Sequence, residues 1–380
     1  MRNQSQKSLK IAITLIILFS VVFGLLLTIN LKIEQTSILK TPNIENTFAV
    51  LEQSLQEKPN VMPNGSNQNV KPSVLPDDLS YERSVTSGKK SVRRNLSTGK
   101  VLIEATTKRV LFGENEDVKL YPASTTKVLT ALCVLNNLPL DRVIEVPKIA
   151  EGVEGSSIYL KAGQRITVED LLFGLMLRSG NDAAVTLAVE TSGSIEDFAV
   201  LMNETAKKCG AKNSNFVNPH GLQDENHYTT AYDLALITAK AYENEDFVRI
   251  VSSKLKKIKI DDSEVVIANK NKMLKTYDGS NGVKTGFTKS SGRCLISGAK
   301  RDGMQLVSVV LNCSDMWNES VRMLDFGFDN FEMTSIEDAV LLNGATKVIA
   351  HFNSSVDENW HSIKFPLRKD GSETLIVNPQ

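Results

Sequence analysis

The feature that most constrains this chain is a change in hydrophobic period along it. From about Thr167 to Ser252 the apolar residues recur at helical spacing, and on either side they run in short strand-like stretches. Val101-Leu102-Ile103-Glu104-Ala105 and Arg109-Val110-Leu111-Phe112 flank Thr106-Thr107-Lys108, which predicts a β-hairpin. Beyond the helical block, Lys256 to Ile260, Glu264 to Ala268, Leu295 to Ala299 and Leu306 to Leu311 read as strands. The last two are joined by a turn at Asp302-Gly303, and Glu319 to Phe328 reads as a closing helix. Strands at both ends with helices between predict one sandwich whose sheet joins distant parts of the chain. Within the block, Thr167 and Thr230 open helices by capping boxes, and Ser194 begins a helix ending near Gly210.

Acidic and basic residues balance over the 380 positions, and no Lys/Arg stripe is interleaved with aromatics. A nucleic-acid partner is therefore not expected. Cys133, Cys209, Cys294 and Cys313 form no C-x-x-C pair, so they read as buried thiols, with a Cys294–Cys313 bridge left open. Residues 1–10 carry Arg2, Lys7 and Lys10, and residues 11–30 are almost wholly apolar. At about 1.5 Å per residue that run nearly matches a hydrocarbon core of about 30 Å. It ends without an A-x-A-like site, which favours an uncleaved transmembrane anchor over a cleaved signal sequence. The flanking positive charge puts the N-terminus in the cytoplasm and the bulk of the chain on the extracytoplasmic side. Residues 31–95, rich in Pro, Asn, Ser and Gln, read as a disordered linker, with a short helix conceivable over Phe48 to Leu55.

Three polar elements stand out in the folded region. In Tyr121-Pro122-Ala123-Ser124-Thr125-Thr126-Lys127, a serine and a lysine lie one helical turn apart, so an amine reaches a hydroxyl. A serine hydroxyl needs a neighbouring base to become nucleophilic, and a lysine whose pKa is lowered can serve. Arg178-Ser179-Gly180-Asn181-Asp182 presents a hydroxyl and an amide in a turn between two buried helices. Gly282-Val283-Lys284-Thr285-Gly286-Phe287-Thr288 offers a cation, a hydroxyl and closely approachable backbone on a strand edge, which suits a carboxylate lying alongside.

Ser124-Thr125-Thr126-Lys127, Ser179-Gly180-Asn181 and Lys284-Thr285-Gly286, in that order, are the S-x-x-K, S-x-N and K-T-G triplet of penicillin-binding proteins and class A β-lactamases. With Gly155-Ser156-Ser157, Asn218-Pro219-His220-Gly221-Leu222 and His227-Tyr228-Thr229-Thr230-Ala231, the chain resembles the low-molecular-mass D-alanyl-D-alanine carboxypeptidases over about Gly99 to Phe331. The resemblance implies an α+β, β-lactamase/transpeptidase-like fold: an antiparallel sheet packed against a helical block at residues 96–331. An N-terminal membrane helix would precede it and a short β-rich C-terminal region, residues 332–380, would follow. It further implies Ser124 as nucleophile, Lys127 as general base, Ser179 as proton relay and Asn181 as a peptide holder. Lys284 and Thr285 would bind the terminal carboxylate beside Gly286, and the backbone N–H groups of Ser124 and Phe287 would form the oxyanion hole. The implied substrate is a peptidoglycan stem peptide ending in D-Ala-D-Ala, with β-lactams as covalent inhibitors and no metal or other cofactor. One departure from the family is that Ser314-Asp315-Met316-Trp317-Asn318 lacks the arginine commonly found after the last core strand.

Other readings fit less of the chain. A β-lactamase lacks its Glu-x-x-Leu-Asn between the second and third motifs. A metallopeptidase would need His220, Asp224, Glu225 and His227, whose spacing is not H-E-x-x-H. A Ser-His-Asp hydrolase would need G-x-S-x-G around Ser124, and the sequence there is Pro-Ala-Ser-Thr-Thr. A β-lactam or muropeptide sensor that acylates and deacylates slowly would use the same residues.

Overall fold

A computed structural model describes residues 98–335, 346–352 and 364–379, together with a two-residue strand, β1 (Ser73–Val74). The apolar N-terminal run, the Phe48 to Leu55 helix and most of the linker lie outside the described residues. Among the described residues no helix is long and apolar enough to cross a membrane.

The described chain opens with the hairpin β2 (Gly99–Glu104) and β3 (Val110–Glu114). A 3-10 turn, Ala123–Thr126, leads into α1 (Lys127–Asn137). The short strands β4 (Val143–Glu145) and β5 (Arg165–Thr167) precede five helices: α2 (Val168–Phe173), α3 (Asn181–Ser192), α4 (Ile195–Lys208), α5 (Ala231–Tyr242) and α6 (Glu245–Ser252). Then come β6 (Leu255–Ile260), β7 (Ser263–Ala268), the one-turn α7 (Met273–Thr276), and the strands β8 (Ser280–Thr288), β9 (Gly292–Arg301) and β10 (Met304–Leu311). Helix α8 (Met316–Asn330) leads to β11 (Phe331–Ser335), β12 (Thr346–Phe352), β13 (Lys364–Arg368) and β14 (Glu373–Pro379).

The caps are where the sequence puts them. The Thr167, Ser194 and Thr230 side chains accept from the backbone N–H groups of Asp170, Asp197 and Asp233. Each bond satisfies one of the otherwise orphaned first-turn donors. A further cap went unread: Asn244 accepts from Phe247 N–H and splits the last helical stretch into α5 and α6.

The central sheet is antiparallel, in the order β3-β2-β10-β9-β8. Strand β10 shows why it lies at the centre. Val307, Val309 and Leu311 pack with the helical block, while Leu306 and Val310 pack with Met323, Leu324 and Phe328 of α8. A strand covered on both faces must be largely apolar on both, which is why this stretch reads as a hydrophobic run interrupted by Ser308 alone. The sheet thus joins the first hairpin to the last three long strands, as the period change predicts.

One expectation is corrected. Strands β6 and β7 do not enter the central sheet; they form a separate four-stranded sheet in the order β4-β5-β6-β7. On β6 the buried residues are Ile258 and Ile260, and on β7 Ile267 alone. A hairpin with so few buried side chains suits an outer sheet with a solvated face, not a layer covered on both sides. The four cysteines are buried and free, so Cys294 and Cys313 are not bridged.

Beyond α8, β11 pairs with β13, and β12 lies between β1 and β14. Arg109, at the start of the β3 side of the first hairpin, donates to the Glu373 carboxylate and to the Pro366 carbonyl. Its guanidinium also lies 5.3 Å from the Phe331 ring centroid and 5.8 Å from that of Phe365.

Candidate active site

The first polar element sits where the 3-10 turn becomes α1. Ala123 holds a left-handed φ of 49°, uncommon for a residue with a Cβ. The Thr125 hydroxyl donates to the Pro122 carbonyl at 2.6 Å and closes the turn. Ser124 is therefore displayed at the turn while Lys127 begins the helix, with Lys127 Nζ 3.0 Å from Ser124 Oγ.

Lys127 is wholly buried. Its amine also donates to Asn181 Oδ1 at 2.7 Å and to the His220 carbonyl at 2.8 Å. Burial first, and then the charges of Lys284 and Lys270, push its pKa well below the ordinary lysine value. A neutral amine has two N–H donors and one lone pair. With Asn181 and His220 taking the donors, the lone pair faces the Ser124 hydroxyl, which can donate to it. That is the arrangement a general base requires.

Several elements hold this geometry. The Thr130 hydroxyl on α1 donates to the Pro219 carbonyl at 2.6 Å, tying the Asn218–Leu222 loop to the helix. Gly221, at φ 84°, packs so closely that a Cβ there would lie 1.8 Å from the Ala123 carbonyl oxygen, so only glycine fits. His227 Nδ1 accepts from Val217 N–H at 3.1 Å, which leaves the proton on Nε2 to donate to Thr126 Oγ1 at 2.9 Å. Burial lowers the pKa of His220 to about 3 and that of His227 to about 4, so both are neutral near pH 7. His227 thus braces the Ser124 turn with both ring nitrogens engaged.

Asn181 opens α3. Its backbone N–H donates to the Ser156 carbonyl at 2.7 Å, and its amide nitrogen to the Glu154 carbonyl. Ser179, two residues earlier, is buried and left-handed, with φ 66°. The neighbouring Asp182 accepts from the Ser157 hydroxyl and from Ile158 and Leu160 N–H, and so fixes the 155–160 loop against α3.

The third element lies on β8, an edge strand of the central sheet. Lys284 is buried, its amine donating to the Thr285 carbonyl at 2.9 Å. Burial, and then repulsion from Lys270, lower its pKa to about 7. A Cβ on Gly286 would lie 3.1 Å from Ser124 N, so β8 backbone runs directly beside the Ser124 turn. Phe287, one residue on, turns its side chain outward and is 63% exposed.

Ser124, Lys127 and Asn181 are thus joined by direct hydrogen bonds. Lys284 is near enough for its charge to act on Lys127, and Gly286 abuts Ser124. Ser179 is placed by its neighbour Asn181. Two groups that bear on the site carry no motif in the sequence. Lys270 sits in Asn269-Lys270-Asn271, which looks like any solvated loop, and Thr126 is an unremarked position inside S-x-x-K.

A family model described as D-alanyl-D-alanine carboxypeptidase matches residues 88–315. The chain is 36% identical over 241 residues to the D-alanyl-D-alanine carboxypeptidase DacF of Bacillus subtilis, covering 61% of this chain and 62% of the relative. It is 34% identical over 247 residues to DacC of Escherichia coli, covering 61% of each. The chain therefore spans about three-fifths of the length of these curated relatives. Among solved structures, the Streptomyces K15 DD-transpeptidase matches with a TM-score of 0.58 and 29% identity, covering 61% of this chain and 96% of that one.

Proposed function

The chain belongs to the D-alanyl-D-alanine carboxypeptidase family, and from that premise we propose that it removes the terminal D-alanine from peptidoglycan stem peptides through an acyl-enzyme on Ser124. The observation that carries this is the buried Lys127 amine, 3.0 Å from Ser124 Oγ and depressed well below its ordinary pKa.

Ser124 Oγ attacks the carbonyl between the two D-alanines as its proton passes to the neutral Lys127 amine. The resulting oxyanion sits between the Ser124 and Phe287 backbone N–H groups. One donor of this kind is typically worth about 100- to 1,000-fold in rate. Ser179 relays the proton that Lys127 took on to the departing amine, so that Lys127 is neutral again, D-alanine leaves as a neutral amine and the rest of the peptide stays esterified to Ser124. Water then cleaves the ester, with Lys127 taking the water proton and returning it to Ser124 Oγ as the acid leaves. Asn181 holds both Lys127 and the peptide. Lys284 and Thr285 grip the terminal carboxylate, whose negative charge raises the Lys284 pKa again and fixes it as a cation in the complex. β-Lactams acylate the same serine. The same reading anchors the chain in the cell membrane through residues 11–30 and places the catalytic region outside the cytoplasm.

Ser124→Ala tests the assignment. Loss of both D-alanine release and covalent penicillin labelling is expected, with the thermal unfolding temperature unchanged. D-alanine release at the wild-type rate by this variant would overturn it.

A further inference from the structure

A terminal carboxylate held by Lys284 and Thr285 lacks a permanent cation. Lys284, buried and with its pKa lowered to about 7, is charged only part of the time near neutrality. The stretch after β10 supplies none. Met316 is buried with Leu295 and Met323 in the cluster that α8 covers, and Trp317 packs against the same cluster. The cations around the start of α8 are committed elsewhere: Arg322 pairs with Asp315 and Glu319, and Lys100 with Glu114 and Glu319.

Arg293, at the start of β9, is differently placed. Strands β8 and β9 are antiparallel, with Phe287 opposite Arg293 and Thr285 opposite Leu295. Side chains alternate between faces, so Thr285, Phe287, Arg293 and Leu295 share one face, and Leu295 marks it as the α8 face. Thr285 is the diagonal neighbour of Arg293, about 7–8 Å away, a span that a long side chain covers. The guanidinium already leans across β8, its carbon 5.7 Å from the Phe287 ring centroid. The backbone beneath it is pinned. The Arg293 carbonyl accepts from Cys313 N–H at 2.8 Å, and Thr288 and Ser291 close the preceding turn with reciprocal hydrogen bonds of 2.9 and 3.0 Å. Arg293 and Phe287 are both exposed, and among the described residues the guanidinium makes no ion pair.

Resting on the carboxypeptidase reading, we propose that Arg293 sets the specificity for a free C-terminus, swinging from the Phe287 ring to pair with the terminal D-alanine carboxylate over Thr285. A guanidinium is always charged, and its planar fork matches a carboxylate with two parallel hydrogen bonds. Strand β8 is an edge strand, so a peptide lying along its open side brings its terminal carboxylate beside Thr285, within the sweep of that fork. Phe287 holds the free guanidinium near this position by an exposed cation–π contact, weak enough for a carboxylate to displace. The strand next to the one that carries the oxyanion N–H thus reads whether the substrate ends in a charge.

The test uses one acylated tripeptide ending in D-Ala-D-Ala, prepared as the free acid and as the carboxamide. Wild-type protein is expected to prefer the acid in kcat/KM. Arg293→Ala should slow the acid by about 10- to 100-fold, the range one charge-assisted pair contributes, chiefly through KM, and leave the carboxamide nearly unchanged, so the ratio falls. Arg293→Lys, which keeps the charge and loses the fork, should lie between. Acylation of Ser124 by benzylpenicillin should drop with the acid, while acylation by its methyl ester should not. Lys272→Ala, which removes the cation 6.0 Å from the Trp317 ring centroid, should leave the ratio as it is. If both peptides slow in parallel in Arg293→Ala, the residue acts through the Phe287 strand and the proposal is overturned. Unchanged rates in Arg293→Ala, or a ratio that falls in Lys272→Ala instead, overturn it as well. Failure of the carboxypeptidase reading itself looks different, since wild-type protein then releases nothing from either peptide and Ser124 takes no penicillin label.

Discussion

Arg109 and Glu373 are each 1% exposed, as deep as Lys127 and Lys284 at 0% and 2%. The two places treat their charge in opposite ways. At the Arg109 corner a cation meets an anion, a carbonyl and two aromatic rings, and the ion pair joins the first hairpin to β14. In the cleft two lysines are buried with hydrogen-bond acceptors but, among the described residues, no carboxylate partner of their own, and both lose basicity. A buried charge with its opposite beside it holds structure together. A buried charge without one is held ready for a reaction, and the fold carries that as a standing cost.

The largest effect should come from breaking the cleft side. Lys127→Met removes the base and should slow acylation by about 1,000- to 10,000-fold, the upper range for a positioned general base. Because it also removes a buried amine, thermal unfolding should show the variant at least as stable as wild type. A clear loss of stability in calorimetry would erase the contrast between the two sites.

Arg109→Met attacks the other side. It leaves the buried Glu373 with only Arg368, whose guanidinium is 3.9 Å away and whose backbone N–H donates to it, so the fold should lose up to about 3–5 kcal/mol in denaturant titrations. Penicillin labelling per folded molecule should be unchanged. Adding Glu373→Leu to Arg109→Met should recover most of the loss, since an apolar pair of similar volume often replaces a buried ion pair with little cost. Failure of the double variant to recover would show that the pair does more than neutralise itself.

The smallest effect sharpens the comparison through pH. In the free enzyme kcat/KM should rise with pH as Lys127 becomes neutral, then fall above about 7 as Lys284 loses its proton. The descending limb of kcat alone should lie higher, because the bound carboxylate holds the Lys284 proton. Superimposable descending limbs in the two profiles would remove Lys284 from the carboxylate site.

What could be read in advance was local. Caps at Thr167, Ser194 and Thr230, the turn at Asp302-Gly303 and the spacing of Ser124 to Lys127 each depend on a few neighbouring residues, and the fold keeps them. The motif Lys284-Thr285-Gly286 was legible as a strand-edge element because Gly286 has a backbone reason to be glycine. What stayed hidden depends on partners far along the chain. Nothing in Lys256 to Ile260 says which sheet will accept it, and Arg109 gives no hint of Glu373, 264 positions later. Lys270 meets the Leu177 carbonyl only when the loop after β7 closes on the turn before α3.

The order β3-β2-β10-β9-β8 also dictates when the cleft can exist. Strand β8 reaches β2 only through β9 and β10, so the strip that carries Lys284 has no seat until the chain has been made through Leu311. A polypeptide emerging N-terminus first would display Ser124 and Lys127 early, on a helix with local contacts. The pairings that wall them in come last and span the greatest contour length, which makes them the slow, entropy-limited part of folding. The complete cleft is therefore withheld from every incomplete product of synthesis, and a ribosome-stalled or clipped chain ending before β10 would carry Ser124 and Lys127 but lack the cleft that walls them in.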